Sequence, residues 1–259
     1  MSEILSVTNL TKAFRLTRKQ RKAACTKETE KIVLNNLSFS VNEGEVFGLL
    51  GPNGAGKTTA MRIISTLIDS DAGEVFVDGD SVKDCPLKIR RKIGFLSGDL
   101  KLDEFFTPAY LFDFFSALRE VPKQQAQQRR DRLFERFGIN EYAHKKLAAL
   151  SCGMKQKAAF VISISHDPPI IIFDEPTNGM DLLAARTVTE FLLELKEQGK
   201  TIILSTHIFS FAEKICDRVG FIVNGKLISS GTLEQITKNG NLEEAFFSLY
   251  DSINNGHTQ

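Results

Sequence analysis

The stretch that decides the fold is Val46-Phe-Gly-Leu-Leu50 followed by Gly51-Pro-Asn-Gly-Ala-Gly56-Lys57-Thr58-Thr59, with a helical pattern continuing from Thr58 to Leu67. It reads as a strand, a glycine loop and a helix in succession. The loop satisfies G-x-x-x-x-G-K-[ST] at every fixed position. Glycines let successive backbone N–H groups turn inward as a nest for phosphate oxygens. The helix that follows presents the positive end of its dipole to the same anion. Lys57 can reach terminal phosphates from this position, and the Thr58 hydroxyl is a hard oxygen suited to Mg²⁺. A chance glycine turn would match the four fixed positions in roughly one chain in a hundred of this length, and the flanking strand and helix make chance rarer. Gly51, Pro52, Asn53, Gly54, Ala55, Gly56, Lys57, Thr58 and Thr59 are therefore expected to bind nucleotide.

Further along, Pro169-Ile-Ile-Ile-Phe173-Asp174-Glu175 is an apolar run ending in two carboxylates. Continuous apolar runs suit strands covered on both faces, and ligands gather at the carboxyl ends of such strands. Asp174 is placed to position Mg²⁺ directly or through water, and Glu175 to orient and deprotonate an attacking water. An acidic pair after a strand also serves as a plain turn with helix-capping carboxylates. The phosphate loop upstream decides for the functional reading.

Around these two segments the pattern alternates. Short strands are expected at Ile4–Val7 and Leu37–Val41, a turn–strand–turn at Asp71–Asp80, strands at 170–173, 201–205 and 219–223, and helices at 182–197 and 208–216. Strands alternating with helices imply a mainly parallel sheet covered by helices. Residues 105–165 are helical in pattern with no evident strand, so they read as an insertion in an α/β core. The tail beyond about 231 is two short amphipathic pieces and a polar end.

Composition narrows the class. The 259 residues are 42% hydrophobic and 25% charged with a net charge of +1, which is ordinary for a globular chain and gives no basic field for nucleic acid. Cys25, Cys85, Cys152 and Cys216 are far apart, so neither a disulfide framework nor a zinc site is suggested and a reducing cytosol fits. The N-terminus lacks a signal-peptide pattern. Apolar runs such as Ile170–Phe173 fall far short of the ~20 residues that span a bilayer. Residues 15–31 hold seven Lys/Arg against Glu28 and Glu30 and read as a solvated hairpin extension, with contact to anionic lipid as the minor alternative.

Leu150-Ser151-Cys152-Gly153-Met154-Lys155-Gln156 resembles the signature motif of the ABC ATPases, and it lies just before the acidic strand as that family requires. The physics again suits a helix N-terminus aimed at phosphate, with Ser151 and Gly153 as donors. The resemblance implies that the signature of one subunit caps the nucleotide held by another, in an ATP-sandwich dimer. Asn178-Gly-Met-Asp181 resembles the D-loop that passes between the two sites, and His207 the switch histidine at the γ-phosphate. Phe14 resembles the aromatic that stacks on adenine, although a plain core Phe explains it nearly as well. One departure stands out: after Ile93-Gly-Phe-Leu96 the family usually has a glutamine, whereas this chain reads Ser97-Gly98-Asp99. Ser97 or Asp99 is the substitute oxygen ligand on offer, and altered hydrolysis is the consequence expected.

The resemblance covers roughly residues 3–230. It implies an α/β fold with a P-loop NTPase core and mainly parallel sheet, an N-terminal antiparallel β part and an inserted helical subdomain. The divisions expected are 1–96, 97–166, 167–230 and a tail at 231–259. The function implied is ATP binding and hydrolysis with Mg²⁺, catalysed by Glu175 and His207, with Thr58 and Asp174 at the metal. Partners implied are a second ATPase subunit, in a homodimer or else a heterodimer, and a membrane-spanning permease that holds the chain on the inner face of the cell membrane. The segments GFLSGD, GMKQK and HDPP resemble ATPase subunits of exporters, sodium-extrusion types among them. The aromatic run from Phe105 to Phe115 lies where such a permease docks. The alternatives are a non-transport ABC ATPase in assembly or cell division, and a nucleotide-dependent switch with low turnover.

Overall fold

The computed structural model describes residues 2–23, 25–98, 102–238 and 240–255. Along the chain come β1 (Glu3–Arg15), α1 (Arg18–Ala23), β2 (Glu30–Asn42), β3 (Val46–Leu50), α2 (Lys57–Ile64), β4 (Ala72–Val77), β5 (Asp80–Ser81), α3 (Pro86–Lys92) and β6 (Ile93–Ser97). Then follow α4 (Pro108–Leu118), α5 (Lys123–Arg136), α6 (Cys152–Ser163), β7 (Ile170–Asp174), α7 (Leu182–Glu197), β8 (Thr201–Thr206) and α8 (Phe209–Ile215). The last elements are β9 (Arg218–Val223), β10 (Lys226–Thr232), α9 (Leu233–Thr237) and α10 (Leu242–Asn255).

Two sheets result. One is antiparallel in the order β2-β1-β4-β5, and the other runs β10-β9-β3-β8-β7-β6. In the second sheet β9, β3, β8, β7 and β6 are parallel and β10 returns antiparallel on β9. Side chains alternate across a strand, and this alternation divides the core in two. Phe47 and Leu49 of β3, Ile170 and Ile172 of β7 and Ile203 of β8 face the antiparallel sheet and α2. Val46, Leu50, Ile171, Phe173, Ile202 and Leu204 face the helices on the other side. Both faces are buried, which is why these strands read as unbroken apolar runs. Phe39 of β2 stacks on Phe47 at 5.2 Å between ring centres and joins the two sheets.

β1 and β2 are far longer than the short strands expected. Their pairing runs from Glu3↔Asn42 to Arg15↔Glu30 with several register shifts. Asn9 and Asn36 adopt left-handed backbone within these bulges, so buried positions fall at 5, 7 and 10 and at 34, 37, 39 and 41. A bulge inserts one residue and breaks the two-residue period, and that hid the full strands. The basic stretch sits at the outer end of this pair, where α1 forms with no buried residue.

The helices α4, α5 and α6 fall between β6 and β7. Thr107 caps α4 by accepting from the Tyr110 N–H at 3.2 Å, with Pro108 at the first helical position, the arrangement in which proline costs nothing. The aromatic chain Phe137–Phe160–Phe173, at 5.2 and 4.9 Å, carries the core from these helices into the sheet. Each such fully buried ring contributes about 1.5–3 kcal/mol of hydrophobic stabilisation.

Candidate functional site

β8 lies between β3 and β7, so the carboxyl ends of three neighbouring strands meet. The registers Leu50↔Thr206 and Asp174↔Ser205 bring the glycine loop, the acidic pair and His207 to one level at that end. Residues separated by well over a hundred positions thereby share one site.

The loop after β3 is shaped by its glycines. Gly54 and Gly56 have φ of 82° and 108°, a region that disfavours any Cβ. At Gly51 a Cβ would collide with the Ile222 carbonyl oxygen, and at Gly56 it would sit 2.7 Å from Leu34 Cδ2. The loop is further tied by the Gly225 N–H, which donates to the Ala55 carbonyl at 2.9 Å. Lys57 opens α2 and folds back over the loop, donating to the Gly51 and Pro52 carbonyls at 2.7 and 3.2 Å. Its ammonium is only 5% exposed and stands 3.6 Å from Glu175 Oε1. Burial pushes the Lys57 pKa down, and the nearby Glu175 and Asp174 carboxylates oppose that shift. A buried cation beside a glycine loop is an arrangement that suits an anion. Thr58 and Thr59 follow on the first turn of α2, both partly exposed.

Asp174 is buried in a row of three set by strand register, Ser97↔Asp174↔Ser205. Ser97 donates to Asp174 Oδ2 at 3.2 Å, and Ser205 donates to Oδ1. Glu175 has a left-handed backbone with φ of 54°, and its N–H still donates to the Ser205 carbonyl at 3.0 Å. This turn swings the side chain back toward Lys57. Glu175 Oε1 hydrogen-bonds His207 Nδ1 at 2.9 Å, and Oε2 accepts from the Thr206 hydroxyl at 3.3 Å. Glu175 remains 16% exposed and His207 43% exposed, so water can reach both. The hard oxygens of Thr58 and Asp174 suit Mg²⁺, which binds through one or two protein oxygens together with phosphates.

Lys57, Asp174, Glu175 and His207 are thus gathered at one end of the sheet. Ser97 is spent on Asp174, and Asp99 lies outside the described residues. Ser205 and Thr206 were missed by sequence reasoning; their signal was the Ser-Thr pair ending the apolar strand before His207. Phe14 is half-exposed near the outer end of β1, with Lys12 Nζ 5.6 Å from its ring centre. Ser151 caps α6 by accepting from the Met154 N–H at 3.3 Å. Neither Ser151 nor Gly153 hydrogen-bonds the glycine loop of its own chain among the described residues, and a Cβ on Gly153 would meet open space. The same helix is tied to the loop after β7 by Gln156, whose Nε2 donates to the Asn178 carbonyl. Asp181 then caps α7 by accepting from the Ala184 N–H at 2.8 Å, which holds its carboxyl below the usual range.

A family profile described as ABC transporter matches residues 34–178, more than half of the chain. The ABC transporter ATP-binding protein NatA of Bacillus subtilis is 34% identical over 233 residues, covering 88% of this chain and 94% of that protein. A solved ATP binding subunit of an ABC transporter superposes with a TM-score of 0.83 at 29% identity, covering 95% of this chain and 99% of the other. The ATP-binding cassette MJ0796, solved as a dimer in a post-hydrolysis state with ADP and Pi, gives a TM-score of 0.77 at 27% identity over 88% of this chain and 98% of its own. The glycine loop, the carboxylates beside it and these likenesses converge: the chain belongs to the ABC transporter family as one of its ATP-binding subunits, which are ATPases.

Proposed function

We propose that two copies of this chain close around two ATP·Mg²⁺ and that their hydrolysis drives a membrane-spanning permease. The observation that carries the reading is the meeting of Lys57, Glu175 and His207 at the ends of β3, β7 and β8. The glycine loop and Lys57 hold the phosphates of ATP, and Phe14 stacks on its base. Glu175 takes a proton from the attacking water, and His207 holds Glu175 in orientation and contacts the γ-phosphate. Thr58 and Asp174 would hold Mg²⁺, which neutralises phosphate charge when bound. Ser151 and Gly153 act on the nucleotide of the partner copy.

Leu182 and Leu183, at the start of α7 beside the D-loop, are 90% and 78% exposed. Two adjacent leucines so open to water support a face covered by a second copy. The dimeric state of the MJ0796 cassette supports the same arrangement. For the permease, the support is the aromatic face of α4. Phe106 and Tyr110 stack at 4.7 Å and Tyr110 and Phe114 at 6.2 Å, with Phe105, Tyr110 and Phe114 all exposed. Among the described residues no helix is long and apolar enough to cross a membrane, and the permease would hold the chain at the inner face. The exporter direction rests on the resemblance of GFLSGD, GMKQK and HDPP to exporter subunits. The domain divisions at 97, 167 and 231 belong to the same reading.

One observation favours a second reading. Ser97, standing near the family's glutamine, already donates to Asp174, which suits a nucleotide-dependent switch with low turnover. Phosphate release from the purified chain separates the two. Steady release abolished by Glu175→Gln supports the ATPase motor, and release no faster than in Glu175→Gln supports the switch. Purification of Glu175→Gln from solubilised membranes, with mass spectrometry of what accompanies it, tests the permease. Recovery only with soluble partners would reject transport.

A further inference from the structure

The last helix of the chain packs against the segment that carries His207. Leu242, Phe246 and Tyr250 of α10 recur every four residues and so share one face, and Leu242 and Phe246 are buried. The Leu242 N–H donates to Glu213 Oε1 of α8 at 2.6 Å. Phe246 closes a triangle of rings with Phe209 of α8 and Phe221 of β9. The ring centres are 5.2 Å apart for Phe209–Phe246, 5.3 Å for Phe221–Phe246 and 6.3 Å for Phe209–Phe221. Tyr250 stacks on Phe246 at 5.7 Å.

The two rings that Phe246 joins belong to both sides of the candidate site. Phe209 is the first residue of α8 and the second after His207. Phe221 lies beside Leu50 in the parallel register of β9 and β3, and Leu50 leads directly into the glycine loop. His207 itself is loosely held: its ring is 43% exposed, with Glu175 as its hydrogen-bond partner at 2.9 Å. α8 starts after Ile208 with no side-chain cap, and a first turn without one leaves N–H groups unsatisfied and frays. The local tie is the Ile208 N–H, which donates to the Thr206 hydroxyl at 3.0 Å. Packing on Phe209 is what fixes the start of this helix, and α10 supplies one wall of that packing. Loss of the Phe246 ring opens a void into which Phe209 would relax, drawing His207 from Glu175. A hydrogen bond weakens steeply with such misalignment.

We infer that Phe246 is a positioning residue for hydrolysis: through Phe209, α10 holds the start of α8 and so keeps His207 on Glu175. The inference rests on the role proposed above for His207 and adds the element that aims it.

The test compares phosphate release and calorimetric ATP binding in the full chain. Phe246→Ala should lower kcat roughly tenfold or more, with KM and ATP affinity within about twofold of the parent. Phe246→Leu, which refills most of the void, should retain most of the turnover. Phe209→Ala removes the partly buried partner ring at less risk to folding and should reproduce the loss. In a His207→Ala background, Phe246→Ala should add no more than about a further twofold, because the two substitutions then act on one contact. A loss that multiplies with that of His207→Ala, or parent-like kcat in either Phe246→Ala or Phe209→Ala, overturns the inference and leaves the proposed function intact. Parent-like turnover in His207→Ala overturns the role of His207 and the inference together. Hydrogen exchange reads the same brace without turnover: residues 206–209 should exchange about tenfold faster in Phe246→Ala or Phe209→Ala while β7 stays protected. Unchanged exchange over 206–209 in the folded variants also overturns the inference.

Discussion

Glu175→Gln should separate binding from chemistry, because the two roles proposed for the residue respond differently to loss of its charge. Its carboxylate stands beside the buried Lys57 ammonium, at 3.6 Å. Coulomb's law at that distance, with an effective dielectric constant of about 20, gives roughly 4–5 kcal/mol of attraction, largely offset by desolvation of the pair. Glutamine preserves volume and the acceptor for Thr206, and Asp174 still faces Lys57. The net loss of stability should therefore be only about 1–3 kcal/mol. With ATP bound, phosphate oxygens replace the carboxylate as counter-charge, so that loss should shrink, and ATP affinity should hold or tighten. Hydrolysis should fall about 10²–10⁴-fold, or roughly 3–5.5 kcal/mol in the barrier, the ordinary contribution of a positioned general base. Phosphate release, calorimetric ATP binding and thermal unfolding with and without ATP measure the three quantities. Turnover within threefold of the parent would remove Glu175 as base. A large loss of ATP affinity would refute the account of how Lys57 is shared.

Three further outcomes follow from the same geometry. Lys57→Ala removes the buried cation and should weaken ATP binding by roughly 30–100-fold, as loss of a charge-assisted contact does; tight binding measured by calorimetry would contradict the phosphate-loop assignment. Ser205→Ala leaves one oxygen of buried Asp174 without its donor and should cost about 1.5–3 kcal/mol in chemical unfolding, together with a higher Mg²⁺ requirement for phosphate release. His166 has a folded pKa of about 4, below its ordinary 6.5, through burial and then Arg119. Below 6.5 the unfolded chain binds a proton that the folded chain refuses, so this stabilisation is complete above 6.5 and is lost as pH falls toward 4. The loss amounts to about 3 kcal/mol, and His166→Gln should flatten that part of the urea-unfolding profile relative to the parent.

The sequence by itself determined the class of the fold and named most residues of the candidate site. The glycine loop, the acidic pair and the helices at 182–197 and 208–216 were readable because their cause is local: a nest needs glycine, a doubly covered strand is continuously apolar, and a helix repeats every 3.6 residues. Less was readable where the cause is remote. β1 and β2 were foreshortened because the bulges at Asn9 and Asn36 interrupt the alternation. β6 is a five-residue apolar run that fits several structures equally, and β10 is a mostly polar strand at the sheet's edge, made a strand only by pairing with β9. Ser97 is singled out only through the family resemblance, and Ser205 and Thr206 carry no more than a Ser-Thr pair before His207 to mark them as parts of a site. They become so because β6, β7 and β8 align in parallel register and set two hydroxyls on Asp174 and a third on Glu175. The left-handed turn at Glu175, which aims its carboxylate at Lys57 and His207, likewise follows from the Ser205 carbonyl beside it. Residue type is written in the chain, but hydrogen bonds between strands depend on distances that only the folded sheet sets.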